Sequence, residues 1–418
     1  MSTRSAALAA LIPAALSACS SPDWTRGVVD STSPDVGMSP SLDVHRSGNS
    51  EVMGIAYVDS ANDEVKYASR SGTSNGWGGF ERETVACCDV RLPALVHAPN
   101  GRPHVFFVRN SIPGVSNGTI MHAVRTNTGP AGYFECIPGQ VPSWYCKSVT
   151  ILAPEIGDPI TALYEVRAGS EDRLHVVWAD YDDETLWHAT KQVSETSFKV
   201  LEIGKTTNDD DDDDIIRGDR PILFRDDDDE GVNLIFTNEG AIQQPRRGEF
   251  RSYGGGFGGW SVTAFEKWKP GDRDYAIHVI RDPALGALDS YWYVLGDCSA
   301  GSITLHAEDS LIDDGNAGIP APIFSPNVYL SCDPDLTHDP DGFIHAVSYR
   351  SALGALDHYR YNPLLPAWSG KHYEIIDNGA AEVGLTPKIF YSPVTGELIV
   401  VYYDKSNGRL KLATRKVN

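Results

Sequence analysis

Short apolar runs separated by turn-forming stretches recur along the whole chain. The clearest copy spans Pro159 to Lys191, PITALYEVRAGSEDRLHVVWADYDDETLWHATK. In it, an apolar run from Ile160 to Tyr164 leads through a Gly-containing turn to Leu174–Asp180. An acidic turn, Tyr181 to Glu184, then leads to Leu186–Thr190. β-branched and aromatic runs punctuated in this way predict an antiparallel meander.

Aligning the copies gives one column of Gly54, His104, His175, Asn233, Ser290, His345 and Ile399, with spacings of 50, 71, 58, 57, 55 and 54 residues. Three positions on stand Tyr57, Phe107, Trp178, Phe236, Tyr293, Ser348 and Tyr402. A proline recurs near the first strand, at Pro40, Pro93, Pro159, Pro221, Pro334 and Pro387. A fourth run recurs as well: Phe80 to Val85, Trp144 to Leu152, Phe198 to Ile203, Trp260 to Phe265 and Trp368 to Ile376. Seven copies at this period predict an all-β, seven-bladed β-propeller, whose blades usually take about 40–50 residues and four strands each. The seventh copy has no fourth run of its own. Trp24 to Asp30 (WTRGVVD) mimics Trp368 to Asp377 and is expected to pair with Lys411 to Arg415, closing the ring. Closure removes exposed strand edges.

The repeat, Pro-x-apolar, then Gly-x-x-His-Val-x-aromatic, then Leu-x-x-Ala, resembles the propeller repeats of sialidase-like (BNR-type) exported bacterial proteins. The resemblance covers Trp24 to Asn418. The Asp-box of that family, Ser-x-Asp-x-Gly-x-x-Trp, is missing from every repeat, so the resemblance implies the fold rather than sialidase chemistry.

Composition supports a large packed core, with 41% hydrophobic and 10% aromatic residues. The net charge of −22 argues against nucleic acid or anionic lipid as a partner, since both need basic patches. Residues 1–19, MSTRSAALAALIPAALSAC, read as an export signal, too short to span a bilayer as a helix. Leu16-Ser17-Ala18-Cys19 resembles the lipobox of bacterial lipoproteins, which implies lipidation at Cys19 and an outer-membrane or cell-surface location; cleavage as an ordinary secretory signal is the alternative. Residues 20–418 then form one domain, a monomer touching the membrane only through its anchor. The remaining cysteines, Cys87, Cys88, Cys136, Cys146, Cys298 and Cys332, are even in number, as expected for disulfides in an exported chain. Cys136 with Cys146, Cys298 with Cys332, and a vicinal Cys87–Cys88 bond are the natural pairings to test.

Candidate chemistry is sparse. His104, His175 and His345 share one repeat position; His122, His188, His306 and His358 share another. Inherited packing residues explain them, and acid–base or metal roles are the alternative. Arg109 and Arg350 stand where other repeats carry Asp59, Asp180, Asn238 or Asp404. Together, His104, Arg109, Tyr181, His345 and Arg350 would suit a carboxylate or sulfate, or proton abstraction beside a uronate, if one pocket held them. The acidic run Asp209 to Asp214 reads as a solvated loop, with calcium at Asp209, Asp211 and Asp213 as the alternative. The expected function is binding of a glycan or a surface protein on one face of the ring. A polysaccharide lyase or glycosidase is the second reading.

Overall fold

The computed structural model describes residues 24–110, 117–137, 143–149, 153–156, 160–167, 170–180, 185–203, 218–226, 231–238, 244–250, 260–264, 277–281, 290–297, 302–309, 321–322, 331–362, 371–379 and 382–417. Its regular elements are all β-strands, and every pairing is antiparallel. The first meander, sheet 1, runs Val36–Ser47, Ser50–Asp59, Glu64–Thr73 and Glu81–Cys87. Sheet 2 runs Val90–His97, Pro103–Asn110, Asn117–Thr126 and Ser143–Ser148. Sheet 3 comprises Thr161–Glu165, Arg173–Asp180, Thr185–Gln192 and Lys199–Ile203. Sheet 4 comprises Gly218–Asp226, Gly231–Asn238, Gln244–Phe250 and Trp260–Ala264. Sheet 5 is Ile277–Arg281, Ser290–Asp297, Ser302–Asp309 and Ala321–Pro322. Sheet 6 is Ser331–His338, Ile344–Arg350, Ala355–Tyr361 and Lys371–Asp377. Sheet 7 joins Val383–Ser392, Glu397–Asp404 and Arg409–Lys416 to Thr25–Asp30.

The five fourth runs read from the sequence each overlap a strand, Glu81–Cys87, Ser143–Ser148, Lys199–Ile203, Trp260–Ala264 and Lys371–Asp377. Thr25–Asp30 pairs with Arg409–Lys416 in the register Thr25 to Thr414 through Asp30 to Leu410. The apolar clusters lie between consecutive sheets. One joins Tyr67 and Val85 to Phe107 and Trp144, from sheets 1 and 2. Another joins Ile399 and Leu412 to Val36 and Tyr57, from sheets 7 and 1. The first strand of each sheet lies against the first strand of the next, and that of sheet 7 against that of sheet 1. Meanders of four principal strands, with Gly76–Trp77 added to sheet 1 and Phe134–Glu135 and Ala153–Glu155 to sheet 2, packed face to face in chain order make this a β-propeller architecture.

The recurring proline has a structural reason. In sheets 1, 2, 4, 6 and 7 the first strand slips register across Pro40, Pro93, Pro221, Pro334 and Pro387. Proline has no N–H for a ladder, so within sheets it belongs on edge strands and at bulges; here it is both. Ser39, Leu92, Asp333 and Thr386, each just before a proline, have φ of 47°, 53°, 47° and 45°.

Near the start of the regular pairing, a side-chain oxygen of one first strand accepts a backbone N–H from the next, just past the bulge in the cases of Ser41 and Asp335. Leu95 N–H donates to Ser41 Oγ at 2.9 Å, Leu223 N–H to Thr161 Oγ1 at 3.2 Å, and Ile389 N–H to Asp335 Oδ2 at 2.7 Å. A second stitch lies further out. Tyr57 of sheet 1 donates to Asp30 of sheet 7 at 2.7 Å, and Tyr402 of sheet 7 donates to Asp377 of sheet 6 at 2.7 Å. A third uses the outer strands: Trp24 Nε1 donates to Glu374 and Trp144 Nε1 to Glu83, each at 3.0 Å. Arg415 and Arg125 complete the same two carboxylates. By these partners, Thr25–Asp30 occupies in sheet 7 the place that Lys371–Asp377 occupies in sheet 6.

Replacing Asp335 by Ala strips the Ile389 N–H of its acceptor in a buried setting. The expected cost is about 1–3 kcal/mol, read as a lower urea midpoint with an unchanged slope. An unchanged midpoint would show that the stitch carries no stability.

Candidate functional site

The histidines that share repeat positions pair within their own sheets. His104 meets His122 at 2.9 Å, His175 meets His188 at 3.0 Å, and His345 meets His358 at 3.0 Å, in each case Nδ1 to Nε2. In all three pairs the rings stack with centroids 5.2 Å apart and planes within 4–11°. The pairing is diagonal across the second and third strands, since Phe106 faces His122, Val177 faces His188 and Val347 faces His358. All six rings are buried.

Their outer partners differ. Tyr133 sits 2.8 Å from His122 Nδ1, and Glu165 sits 3.1 Å from His175 Nε2. In sheet 6 the chain runs Asp339, His345, His358, Glu374, with links of 3.0, 3.0 and 2.7 Å. Three links need three protons, and two neutral imidazoles supply two. Burial holds both imidazoles below their ordinary 6.5, His358 at about 4, so with both carboxylates ionised the chain is one proton short of a donor at every link. Sheet 1 has no pair of its own, because Gly54 stands at the histidine position. The ring of His97 from sheet 2 fills the space instead, held by Tyr67 at 3.1 Å and Asp43 at 2.9 Å. A Cβ at Gly54 would lie 2.6 Å from that ring.

The five residues whose sharing of one pocket would suit a lyase or glycosidase are not gathered by these contacts. His104 and His345 are absorbed into separate buried pairs in sheets 2 and 6, and Tyr181 lies outside the described residues. Arg350 is buried and turned back on its own sheet. Its Nε and Nη2 each lie 2.9 Å from Asp357, and Tyr373 completes the cluster. Burial raises the Asp357 carboxyl to about 6 against the pull of that guanidinium.

Arg109 behaves differently, and the register explains why. At the Arg350 column, sheets 1 and 7 carry Asp59 and Asp404, paired with Lys66 at 2.6 Å and Lys411 at 3.4 Å on the third strand. Sheet 6 inverts the pair: Arg350 on the second strand, Asp357 on the third. In sheet 2 the third-strand position, opposite Phe107, is Met121, which offers no charge. Among the described residues Arg109 therefore has no in-sheet counter-ion, and its side chain is exposed. It faces a cavity of about 610 Å³ between sheets 1 and 2, within the roughly 300–1,000 Å³ of ligand pockets. Asp63, Cys88, Asp89 and Asn110 line it together with Thr119, Met121, Phe134 and Ser148. Phe134 is 49% exposed. The mixture offers one cation, two carboxylates, an amide, two hydroxyls and an aromatic face.

Among the cysteines, Cys136 and Cys146 form a disulfide, with Cys146 opposite Phe134 of the cavity wall in the strand pairing. Cys87 and Cys88 are free thiols, so the vicinal bond expected from sequence is open here. Cys19, Cys298, Asp209, Asp211 and Asp213 lie outside the described residues, as does the side chain of Cys332. Among the described residues no group of three metal-ligating side chains stands together. The partners His97, Tyr133, Glu165 and Asp339 carried no periodic signal. Met121 and Asp357 were legible only once strand register was known.

No protein-family model matches the sequence, and no curated protein matches it. Among solved structures, a protein of unknown function from Dyadobacter fermentans is similar at a TM-score of 0.51 and 9% identity, covering 94% of this chain and 98% of that one. The intramolecular trans-sialidase from Ruminococcus gnavus gives 0.44 at 10% identity, covering 94% and 96%. The β-propeller domain of the Trilobed protease from Pyrococcus furiosus gives 0.41 at 11% identity, covering 91% and 96%. Identities this low speak to fold alone.

Burial holds the histidines of sheets 2 and 3 below their ordinary 6.5, His104 at about 3 and His122, His175 and His188 also lowered. The unfolded chain takes up protons below 6.5 that these folded pairs refuse, so stability is full above 6.5 and falls beneath it. Each histidine that stays neutral costs about 1.4 kcal/mol per pH unit below that point. Urea midpoints should fall between pH 7.5 and 5.5, and His188→Gln should flatten that fall. Equal midpoints at the two pH values would refute buried neutral pairs.

Proposed function

We propose that the seven sheets are the blades of a closed ring, and that the Arg109 cavity binds a glycan through an acidic group. In this reading the protein is exported and held at the cell surface by a lipid on Cys19. The observation that carries the binding reading is the missing counter-ion: sheets 1, 6 and 7 neutralise the charge at this column, and sheet 2 leaves it facing a cavity. A guanidinium engages a carboxylate through two parallel N–H donors. Asp63, Asp89 and Asn110 offer acceptors to sugar hydroxyls, and the exposed ring of Phe134 offers an apolar face for stacking. The Cys136–Cys146 disulfide supports an oxidising, extracytoplasmic compartment. The contacts of the sheet 7 first strand with that of sheet 1, and the place of Thr25–Asp30 in sheet 7, support closure.

The test is a glycan array of neutral and uronate-bearing oligosaccharides, probed with the soluble protein from Trp24 onward. Uronate glycans should bind saturably and more weakly as salt rises. Arg109→Ala should lose about 1.5–3 kcal/mol of that binding, or roughly ten- to a hundredfold. Arg350→Ala should keep the binding while losing about 3–5 kcal/mol of stability, because it strands the buried Asp357. The absorbance of an unsaturated uronate should stay flat on incubation. A rise would replace the binding reading with a lyase, and binding insensitive to Arg109 would place the site elsewhere.

A further inference from the structure

The cavity has a second chemical feature, the adjacent thiols on its wall. Cys87 ends the fourth strand of sheet 1, and Cys88 and Asp89 are the whole link to sheet 2. Both link residues take left-handed backbone, φ of 76° at Cys88 and 62° at Asp89. Non-glycine residues adopt that conformation rarely, so the surroundings must hold it. They do: Cys88 N–H donates to the Asp63 carbonyl at 2.9 Å. The Asp89 carbonyl accepts from Asn110 N–H at 2.9 Å, and its carboxylate from Asn110 Nδ2 at 2.8 Å. The held turn brings the two Sγ atoms to 2.8 Å. Cys88 is exposed and lines the cavity, whereas Cys87 is half-buried.

We propose that Cys87 and Cys88 are an oxidation site, at which a small-molecule disulfide converts the pair to a vicinal disulfide forming a sulfur wall of the Arg109 cavity. The Cys88 thiolate attacks one sulfur of the oxidant, giving a mixed disulfide and one released thiolate, which takes up the proton Cys88 gave up. The Cys87 sulfur then attacks Cys88 Sγ, and its proton leaves with the second released thiol. Two protein thiols are oxidised and one external disulfide is reduced to two thiols, so atoms and electrons balance. Exposure sets the order, because Cys88 is exposed and Cys87 half-buried, so Cys88 is the more open to an incoming disulfide. The hydrogen bond to Cys88, with burial, raises the Cys87 thiol to about 11, which also favours it as the second attacker. Closing the ring fixes the Cys88–Asp89 link, and with it the grip of Asp89 on Asn110.

The full chain, purified without reductant, is treated with oxidised glutathione and alkylated after denaturation, then mapped by peptide mass. The peptide holding both cysteines should be lighter by two hydrogens and carry no alkyl group, whereas the untreated protein alkylates at both. In Cys88→Ser, Cys87 should remain alkylatable or carry glutathione. Amide exchange at Asn110 should slow on oxidation. Two alkylated cysteines after glutathione treatment, or a bond from either to Cys298, Cys332 or a second molecule, would overturn the assignment. Unchanged exchange at Asn110 would overturn the locking of the wall. None of these readouts uses a glycan, so this inference can fail while the binding reading stands, and the reverse.

Discussion

Sheets that meet face to face bury their polar edges as well as their apolar faces, and every buried N–H at the meeting line needs an acceptor. Around the first strands, Ser41, Thr161 and Asp335 supply one, each a short oxygen-bearing side chain; Ser41 and Asp335 stand just beyond the point where their strands slip register, and Thr161 opens its strand. The bulges of sheets 1 and 6 aim Ser41 and Asp335 at the neighbouring backbone, and proline stabilises a bulge where an N–H would have no ladder to join. Much else follows from this alignment. Tyr57 can reach Asp30, Tyr402 can reach Asp377, and the tryptophans can reach Glu374 and Glu83 because the sheets are already set at a fixed offset.

The strand pattern was readable because its causes are local. Alternating burial, turn residues and the recurring proline mark each strand without knowledge of its neighbours. The match of Trp24–Asp30 to Trp368–Asp377 was readable for the same reason: Asp30 and Asp377 each end their strand where a tyrosine of the next sheet donates to them. What was hidden depends on pairing across strands. Arg109 and Arg350 look alike in sequence, yet Met121 and Asp357 give them opposite fates, and neither partner is near them in the chain. The histidine columns were visible as columns, but whether they met each other or a ligand turned on a diagonal between strands. His97 could not be foreseen at all, since it substitutes for a residue that Gly54 lacks.

The same repeat therefore carries two kinds of polar site. Where a charge at the inner column meets its opposite across the sheet, the group is structural, as in sheets 1, 6 and 7. Where the cross-strand partner has been replaced by an apolar residue, the charge turns outward. The difference lies in the partner across the sheet, since the Arg109 backbone keeps the same register as its structural counterparts.

The seating of Thr25–Asp30 against Arg409–Lys416 also governs the order in which the molecule can be made. Trp24 and Glu374, whose side chains meet, stand 350 positions apart. As the chain emerges from a ribosome or an export channel, the earliest strand must wait, unpaired, while the intervening sheets assemble. Pairing between such remote segments is entropically slow, and an unsatisfied strand edge is a template for another copy. Trapping of that waiting strand by a neighbouring copy is therefore the hazard this topology carries. A tether just upstream of Trp24 would hold one end of the waiting segment and keep copies apart while the last strands arrive.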